Sequence, residues 1–508
     1  MNNLSPQRVM IVYRGRYHIR EALDLETLAA VLRGAGRQVR FVYDPDCFGA
    51  TDNVLQSALL ARLLARPNRV PAAVASWEPD VILFQVLSNT YRWCLETAEH
   101  IKGQKAVPIV FMGLHPSLVP THVMRHACVD YVIAGEMEGV VADLLEAIAG
   151  RRDVREAGSL YYRCGGEVKS TEPAKLVDLD ALPLPDKDLF APYVSHRSSY
   201  CAMVSRGCPY SCSFCEETCS KKLYGGKYFR RKSVDTVMAE LAAGKQRHRF
   251  REVIFKDSYL SGNKAWLSEL MGRYKKEIGA PFKCFCTVTG FDLETAQMLK
   301  DGGCYSVEFG LQTWNDEIRS KILNRRESSE DALAAFDCCS KARLRYDVDH
   351  MFNLPYESRD DHLLGVERYG QLEYLGRIKV HHLVYYPTAD IVAHAMEAGD
   401  LPAGAVESLA EGHESDFYDQ ATGSAEHRKL VAGFAALYKV LPLLPRRVAR
   451  WFAAGNRIRW LTWIPSPLMA VLQAVNALRC RDLRFAAYVS IYSRKVLHSI
   501  LRSHTRSK

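Results

Sequence analysis

Two successive series of short apolar runs alternate with helical patterns, and this alternation restricts the fold more than any other feature of the chain. In the first series the apolar runs are residues 9–13, 39–43, 81–87, 108–112 and 130–134. Continuous apolar runs between helices are typical of parallel strands that helices cover on both faces. Residues 1–150 are therefore predicted to form an α/β domain with a doubly wound, Rossmann-like parallel sheet.

Ligands of such sheets bind beyond the carboxyl ends of the strands. In this chain small and polar residues follow three of those ends: Ser88 and Asn89, then Gly113, Leu114 and His115, then Gly135 and Glu136. Residues of this kind let a bulky ligand approach the backbone, and ordinary strand-to-helix turns use the same residue types. The sequence leaves both interpretations open.

The second series predicts a partial (β/α)6 barrel in residues 196–400, where the active site is expected at the carboxyl ends of the strands. Its candidate strands are residues 200–205, 252–255, 283–288, 306–309, 346–351 and 380–385. Residues 151–195 contain Pro183, Pro185 and Pro192 and an acidic run, which indicates a linker. Residues 401–508 are predicted to be mainly helical and basic.

The loop after the first barrel strand contains Cys208, Cys212 and Cys215 in a C-x3-C-x2-C pattern. Three thiolates at this spacing can hold three irons of a four-iron cluster and leave the fourth iron open. Cys219 follows, so four thiolates could also bind zinc. Zinc ligands usually come in pairs that lie well apart in sequence, which favours the iron–sulfur cluster.

With the cysteine loop in this position, residues 8–390 or so resemble the cobalamin-dependent radical S-adenosylmethionine (SAM) enzymes. In that family three cysteines bind a [4Fe–4S] cluster and SAM chelates the open iron. The resemblance places Phe214 beside the adenine. It also places Asp257, which ends Phe255-Lys-Asp257, near the amino group of SAM, and Glu308 and Gln312 near its ribose and carboxylate.

The resemblance also implies that residues 1–150 bind cobalamin. The D-x-H-x-x-G signature, whose histidine ligates cobalt in other cobalamin proteins, is absent from residues 1–150. We therefore expect cobalt without a histidine beneath it, facing Ser88, Leu114 or His115. Two functions remain open for His115: a cobalt ligand, or a turn residue that contacts the corrin.

By resemblance, the expected reaction is methylation of an unactivated carbon through a 5′-deoxyadenosyl radical and methylcobalamin. The expected partners are a small-molecule or lipid-like substrate and an external one-electron reductant. A radical cyclisation or rearrangement is the alternative within the class. A non-catalytic regulator that binds an iron–sulfur cluster or cobalamin is the alternative from another class.

Charge is distributed unevenly along the chain, whose net charge is +9. Residues 428–508 hold sixteen Lys and Arg but one acid, and residues 460–478 carry no charge. Trp451, Trp460 and Trp463 stand among these arginines, a pattern typical of peripheral membrane contact and also of a helical cap on the barrel. The apolar content argues against a nucleic-acid partner. Fifteen scattered cysteines and an N-terminus without a signal sequence predict a cytoplasmic protein, with contact at the inner face of the membrane as a further expectation.

Overall fold

In the computed structural model, which describes residues 6–15, 22–44, 68–412, 424–480 and 482, the chain folds into two α/β units and a helical C-terminal region. The strands of the first unit are β1 Arg8–Arg14, β2 Gln38–Asp44, β3 Val81–Gln85, β4 Ile109–Met112, β5 Tyr131–Ile133, β6 Leu160–Cys164 and β7 Glu167–Ser170. Its helices are α1 Leu23–Gly34, α2 Val70–Trp77, α3 Tyr91–Lys102, α4 Leu114–Leu118, α5 Pro120–Val123 and α6 Val141–Ile148.

The first unit is built on one seven-stranded sheet in the order β2-β1-β3-β4-β5-β6-β7. Strands β1 to β5 are parallel, as predicted. Every residue of β3 and β4 is buried, because helices cover both faces of these strands. The order 2-1-3-4-5 has its topological switch between β1 and β3, where ligands of open α/β sheets bind.

Residues 151–195 do more than link the two units. Strand β6 pairs antiparallel with β5, and β7 pairs antiparallel with β6, so the sheet continues to Ser170. Gly165 and Gly166, both with positive φ, connect β6 to β7. Two consecutive residues with positive φ are what a tight type I′ hairpin turn requires. The prediction of a linker missed this hairpin.

The second unit contains six parallel strands in the order β15-β14-β13-β12-β11-β8, the predicted partial barrel. Its strands are β8 Tyr200–Ala202, β9 Ser205–Arg206, β10 Arg230–Arg231, β11 Val253–Phe255, β12 Phe282–Cys286, β13 Cys304–Gln312, β14 Arg345–Phe352 and β15 Leu375–His382, of which β9 and β10 form a separate antiparallel pair. Its helices are α7 Glu216–Leu223, α8 Val234–His248, α9 Lys264–Glu277, α10 Leu293–Gly302, α11 Ser329–Lys341, α12 Arg359–Tyr369, α13 Ile391–Glu397 and α14 Ala405–Ala410.

The last barrel strand begins earlier than the expected residues 380–385. Its position follows from pairing with β14, in which Val348 lies opposite Ile378 and Phe352 lies opposite His382.

A buried ion pair joins the two units. The Lys187 ammonium lies 2.7 Å from the Glu26 carboxylate of α1 and donates to the carbonyl oxygen of Cys201 in β8, also at 2.7 Å. Both charged side chains are almost completely buried. Separating the two side chains inside the protein would leave each charge buried and uncompensated. The pair therefore favours packing of the first unit against the start of the barrel.

The C-terminal region is helical, as predicted, and packs on the barrel. It consists of α15 Ala425–Val440, α16 Arg446–Ala453, a 3-10 segment Gly455–Trp463 and α17 Ser466–Arg479. Phe434 and Tyr438 of α15 belong to the hydrophobic core of the barrel. Among the described residues no single helix is long and apolar enough to cross a membrane; Gly455–Trp463 and Leu468–Arg479 reach that length and composition only as a pair, with a 98° bend between them.

Candidate active site

The loop with the three cysteines lies at the carboxyl end of the barrel strands and is held by the protein itself. Gly207 has a φ of +82°, and a Cβ there would lie 2.8 Å from the carbonyl oxygen of Tyr228. The Lys221 ammonium donates to the carbonyl oxygens of Pro209 (3.0 Å) and Tyr210 (2.8 Å). Cys215 is the N-cap residue of α7. These contacts give the loop a defined shape.

A cavity of about 380 Å³ opens beside this loop. The structure brings together around it all seven residues that the sequence predicted for the cluster and SAM: Cys208, Cys212, Phe214, Cys215, Asp257, Glu308 and Gln312. Ligand pockets have volumes of roughly 300–1,000 Å³, so the space suits a cofactor of moderate size.

Cys219 lies elsewhere. It is buried in an apolar cluster with Leu118 and Leu383 and does not line the cavity. This arrangement separates it from the other three cysteines and removes the geometric basis for a four-thiolate zinc site in the loop.

The thiols of the loop sit in a poorly solvated environment. Burial raises the pKa of Cys208 to about 11 and that of Cys215 well above its usual range. The guanidinium of Arg325 lies 3.9 Å from the sulfur of Cys212 and donates to the carbonyl oxygen of Gly310 at 2.6 Å. Burial disfavours the thiolate form of these cysteines. A bound metal cation would compensate the negative charge and so stabilise the thiolates.

Asp257 has one carboxylate oxygen engaged and one free. Its Oδ1 accepts hydrogen bonds from the backbone N–H groups of Val204 (2.9 Å) and Ser205 (2.6 Å). Its Oδ2 is buried without a hydrogen-bond partner among the described residues. Burial raises the pKa of Asp257 to about 6. An unsatisfied oxygen beside a cavity is a site for a cationic or N–H donor group of a ligand.

Glu308 belongs to a buried charge network beneath the cavity. The ammonium of Lys283 lies 2.8 Å from Glu308 and 2.6 Å from Asp347, and Lys379 also pairs with Glu308. Burial and then the Glu308 carboxylate raise the pKa of Asp349 well above its usual range.

Sequence analysis missed several of these groups, including Arg325, Asp349 and the two lysines. For Asp349 and the two lysines the signal was the presence of charged residues inside predicted barrel strands; Arg325 lies outside the strands and carried no such signal. Lys283, Glu308, Asp347 and Asp349 lie on three adjacent strands. Charged side chains are almost never fully buried unless paired, so such residues predict one another as partners.

At the edge of the first unit, Gly113 and Gly135 adopt a φ of +100°, which side chains rarely tolerate. A Cβ on Gly113 would lie 2.9 Å from the Gln85 side chain, and one on Gly135 would clash with the hydroxyl of Tyr224 in the second unit. The same hydroxyl accepts a hydrogen bond from the backbone N–H of Glu136 at 2.7 Å. These glycines thus permit close contact between the two units.

The remaining residues expected at this edge divide into two groups. Asn89, Leu114 and Gly135 are half-buried, and Leu114 packs in one apolar cluster with Phe214 of the cysteine loop. The Glu136 carboxylate pairs with Arg206 and Arg230 across the interface of the two units. It is therefore occupied by protein partners.

Ser88 and His115 are both buried at this edge. The Nδ1 of His115 lies 3.0 Å from the Ser88 hydroxyl, and its Nε2 lies 3.0 Å from the carbonyl oxygen of Ala410. Burial lowers the pKa of His115 to about 3. Because both ring nitrogens have protein partners, this arrangement favours a turn residue over a cobalt ligand, the two functions that the sequence left open for His115.

Comparison with known families agrees with this arrangement. Residues 11–145 match the model of the B12 binding domain, and residues 203–364 match the model of the radical SAM superfamily. The first match covers β1 to β5, and the second covers the cysteine loop, Asp257, Glu308 and Gln312.

Similar curated proteins include an uncharacterised methyltransferase of Pyrococcus horikoshii, 26% identical over 57% of this chain and 63% of that protein. A hopanoid C-3 methylase of Methylococcus capsulatus is 28% identical over 44% of this chain and 40% of that protein. The chain thus spans less than two thirds of the length of either relative.

Among solved structures, the radical S-adenosylmethionine methyltransferase TsrM from Kitasatospora setae shares the fold with a TM-score of 0.64. The identity is 14%, and the likeness covers 97% of this chain and 100% of TsrM. With both domain matches and this shared architecture, the chain belongs to the radical SAM superfamily, in the branch that carries a B12 binding domain ahead of the radical SAM domain.

Proposed function

We propose that the chain is a cobalamin-dependent radical SAM enzyme that methylates an unactivated carbon of a small or lipid-like substrate. The observation that carries this proposal is the cavity with three cysteines, which lies beside the B12 binding domain. Phe214 from the cysteine loop and Leu114 from that domain share one apolar cluster, so the two cofactor regions adjoin. The TsrM structure and the hopanoid relative, both named for methyl transfer, support the reaction type.

The described residues fit a [4Fe–4S] cluster with SAM. Cys208, Cys212 and Cys215 would hold the cluster, and Phe214 would lie against the adenine. The free Oδ2 of Asp257 would accept a hydrogen bond from the SAM amino group, and the unpartnered Oε1 of Gln312 would accept one from a ribose hydroxyl. Both oxygens are buried at the cavity wall, so a bound ligand would remove two unsatisfied groups.

The described edge of the first unit fits a corrin at Asn89, Leu114 and Gly135, which remain half-buried. His115 is engaged through both ring nitrogens, and residues 1–150 lack the D-x-H-x-x-G signature, so cobalt would have no histidine ligand from this loop. When bound, these cofactors supply a hydrogen-abstracting radical and a transferable methyl group.

The protein's own contribution is positioning and shielding. Lys283 and Lys379 fix Glu308 at the cavity wall, so its carboxylate does not need to reorganise when a ligand binds. Asp349 also lines the cavity, and its raised pKa favours the protonated form that can donate a hydrogen bond to a polar group of the substrate.

Methyl-labelled SAM tests the function directly. Anaerobically reconstituted protein with cobalamin and a chemical reductant, standing in for the external one-electron donor, should form labelled methylcobalamin and transfer the label to a substrate carbon. Conversion of a substrate without label would establish the cyclisation or rearrangement instead. Absence of both reductive SAM cleavage and methylcobalamin formation would support the non-catalytic regulator.

We further propose that the C-terminal region docks on the inner face of the cytoplasmic membrane and delivers a lipid-like substrate. Trp463 and Leu478 are 80% and 75% exposed, although both are large apolar residues. Trp451 and Trp460 are also exposed, and the Arg457 guanidinium lies 4.8 Å from the Trp451 ring. Exposed tryptophan beside arginine suits the interface of an anionic bilayer.

Vesicle sedimentation tests this surface. Full-length protein should bind vesicles that contain phosphatidylglycerol more than vesicles of phosphatidylcholine, and Trp460→Ala with Trp463→Ala should reduce binding. Leu293→Ala is the matched control, because Leu293 is also exposed but lies on α10 of the barrel. Equal binding of the tryptophan variant and the control would refute the docking surface.

A further inference from the structure

A second group of metal-ligating side chains lies on β14 and the segment that follows it. His350 lies near the carboxyl end of β14, Glu357 is in the connection to α12, and His362 is in α12. One ligand atom from each lies within 4.8 Å of the others. Asp349 lines the cysteine cavity, and these three residues do not. His350 follows Asp349 in the strand and points to the opposite face, because successive side chains of a strand alternate between faces.

Four polar atoms in this group are buried without a hydrogen-bond partner among the described residues. They are His350 Nε2, Glu357 Oε1 and both ring nitrogens of His362. The other atoms are satisfied: His350 Nδ1 lies 3.1 Å from the Tyr369 hydroxyl, and Glu357 Oε2 accepts from the backbone N–H of Asn353 at 2.9 Å. The orientations of His350 and Glu357 are therefore fixed from the other end, whereas His362 has no hydrogen bond at either ring nitrogen among the described residues.

The distances suit ligation better than direct hydrogen bonding. His362 Nδ1 and Glu357 Oε1 are 3.7 Å apart, too far for a hydrogen bond. Two ligands that each lie about 2.0–2.2 Å from one zinc ion in tetrahedral geometry are separated by roughly 3.5 Å. The spacing therefore accommodates an ion between the two atoms.

Aromatic rings surround the two histidines. The ring of His362 lies 5.0 Å from that of Phe434 and 5.2 Å from that of Phe352, and the ring of His350 lies 4.7 Å from that of Tyr438. The Tyr438 hydroxyl donates instead to the carbonyl oxygen of His362. Since buried polar atoms in native proteins are nearly always partnered, four unpartnered atoms within an aromatic shell indicate an occupant.

We propose that His350, Glu357 and His362 bind a divalent transition-metal ion of the zinc type, separate from the cysteine loop. Two imidazole nitrogens and one carboxylate oxygen are a ligand set that zinc accepts. The ion would tie the end of β14, whose Asp349 faces the cysteine cavity, to α12 and to the α15 residues packed outside it. The site does not depend on the proposed methylation.

The other two-histidine group in the described residues differs in one respect. In the group of His122, His126 and Glu411, the Nε2 of His122 lies 2.9 Å from the Glu411 carboxylate, which is shorter than the 3.7 Å between His362 Nδ1 and Glu357 Oε1 and leaves less room for an ion between the two atoms. The group of His122, His126 and Glu411 therefore serves as the matched control for the experiment.

The test uses the full chain with Cys208, Cys212 and Cys215 changed to serine, which removes the iron–sulfur site. After incubation with zinc and removal of excess metal, elemental analysis should find one zinc per chain. His362→Asn should abolish this zinc, and His126→Asn should leave it unchanged. No bound zinc in the parent, zinc retained by His362→Asn, or zinc lost from His126→Asn would each overturn the proposal.

Cobalt(II) gives a second measurement that does not require the His362 variant to fold. Added to the same cysteine-free parent, cobalt(II) should produce visible d–d bands without a sulfur-to-cobalt charge-transfer band, because the ligands are nitrogen and oxygen. A charge-transfer band would place the metal on other cysteines and refute the site, as would the absence of any d–d band.

Discussion

Replacing Lys283 by methionine perturbs the buried charge network under the cavity at its centre. The ammonium of Lys283 lies 2.8 Å from Glu308 and 2.6 Å from Asp347, and all three side chains are at most 3% exposed. Methionine preserves much of the side-chain volume and removes the charge. The variant therefore leaves two buried carboxylates with fewer cationic partners.

The magnitude follows from two arguments. Burial raises the pKa of Asp347, but Lys283 and then Arg377 outweigh burial and hold that pKa at about 2. The difference from the ordinary value of 3.8 corresponds to about 2 kcal/mol of stability. Breaking a buried ion pair costs about 3–5 kcal/mol. Because Lys379 still pairs with Glu308 and Arg377 with Asp347, we expect a loss of about 3 kcal/mol.

The sign of the pH dependence is also fixed. A depressed folded-state pKa contributes stability that is fully present above the ordinary value of 3.8 and is lost as pH falls towards 2. Without Lys283 the pKa of Asp347 rises, so the variant should lose stability at higher pH than the parent during acid titration.

Urea unfolding followed by circular dichroism, at neutral and at mildly acidic pH, measures both effects. Lys264→Met is the matched control, because Lys264 also contacts two carboxylates, Asp292 at 2.5 Å and Glu294 at 2.6 Å, but at the surface. Solvent screens such pairs, and we expect a much smaller change. Equal destabilisation by Lys283→Met and Lys264→Met would refute the reasoning.

Three further predictions concern the cavity and the interface of the two units. Asp257→Asn should weaken SAM binding about tenfold in calorimetry, because it removes a charged acceptor. The affinity of the parent protein for SAM should fall as pH drops through about 6, where Asp257 gains a proton, and the variant should lose this pH dependence. Gly135→Ala should destabilise the protein by about 1–3 kcal/mol in urea unfolding, owing to its positive φ, and adding Tyr224→Phe should recover only the steric part of that loss. Arg325→Met should make the cluster potential more negative in a redox titration, because a cation near Cys212 favours the reduced state; an unchanged or more positive potential would contradict this.

Sequence patterns predicted the parallel strands of both units, because apolar runs alternate with helical patterns and the ends of the strands are marked by turns. The cysteine spacing and the strand-end residues Asp257, Glu308 and Gln312 identified one wall of the cavity. These features depend on local sequence, so they can be read without knowing the fold.

The rest depends on contacts between distant segments. The hairpin of β6 and β7 adds to the first sheet only because β5 presents an open edge, and its Gly165-Gly166 turn was the one local signal. Ser88 and His115 are covered by the segment that contains Ala410, nearly three hundred residues later in the chain. No pattern near either residue indicates that cover.

The central claim is that three cysteines hold a four-iron cluster whose open iron binds SAM. The most direct measurement is iron content and electron paramagnetic resonance of the reduced, anaerobically reconstituted protein, before and after SAM is added. We predict about four irons per chain, a spectrum that changes on addition of SAM, retention of both in Cys219→Ser and loss of both in Cys212→Ser. The account would be contradicted if the chain held one zinc and no iron, and if Cys219→Ser and Cys212→Ser lost that zinc equally.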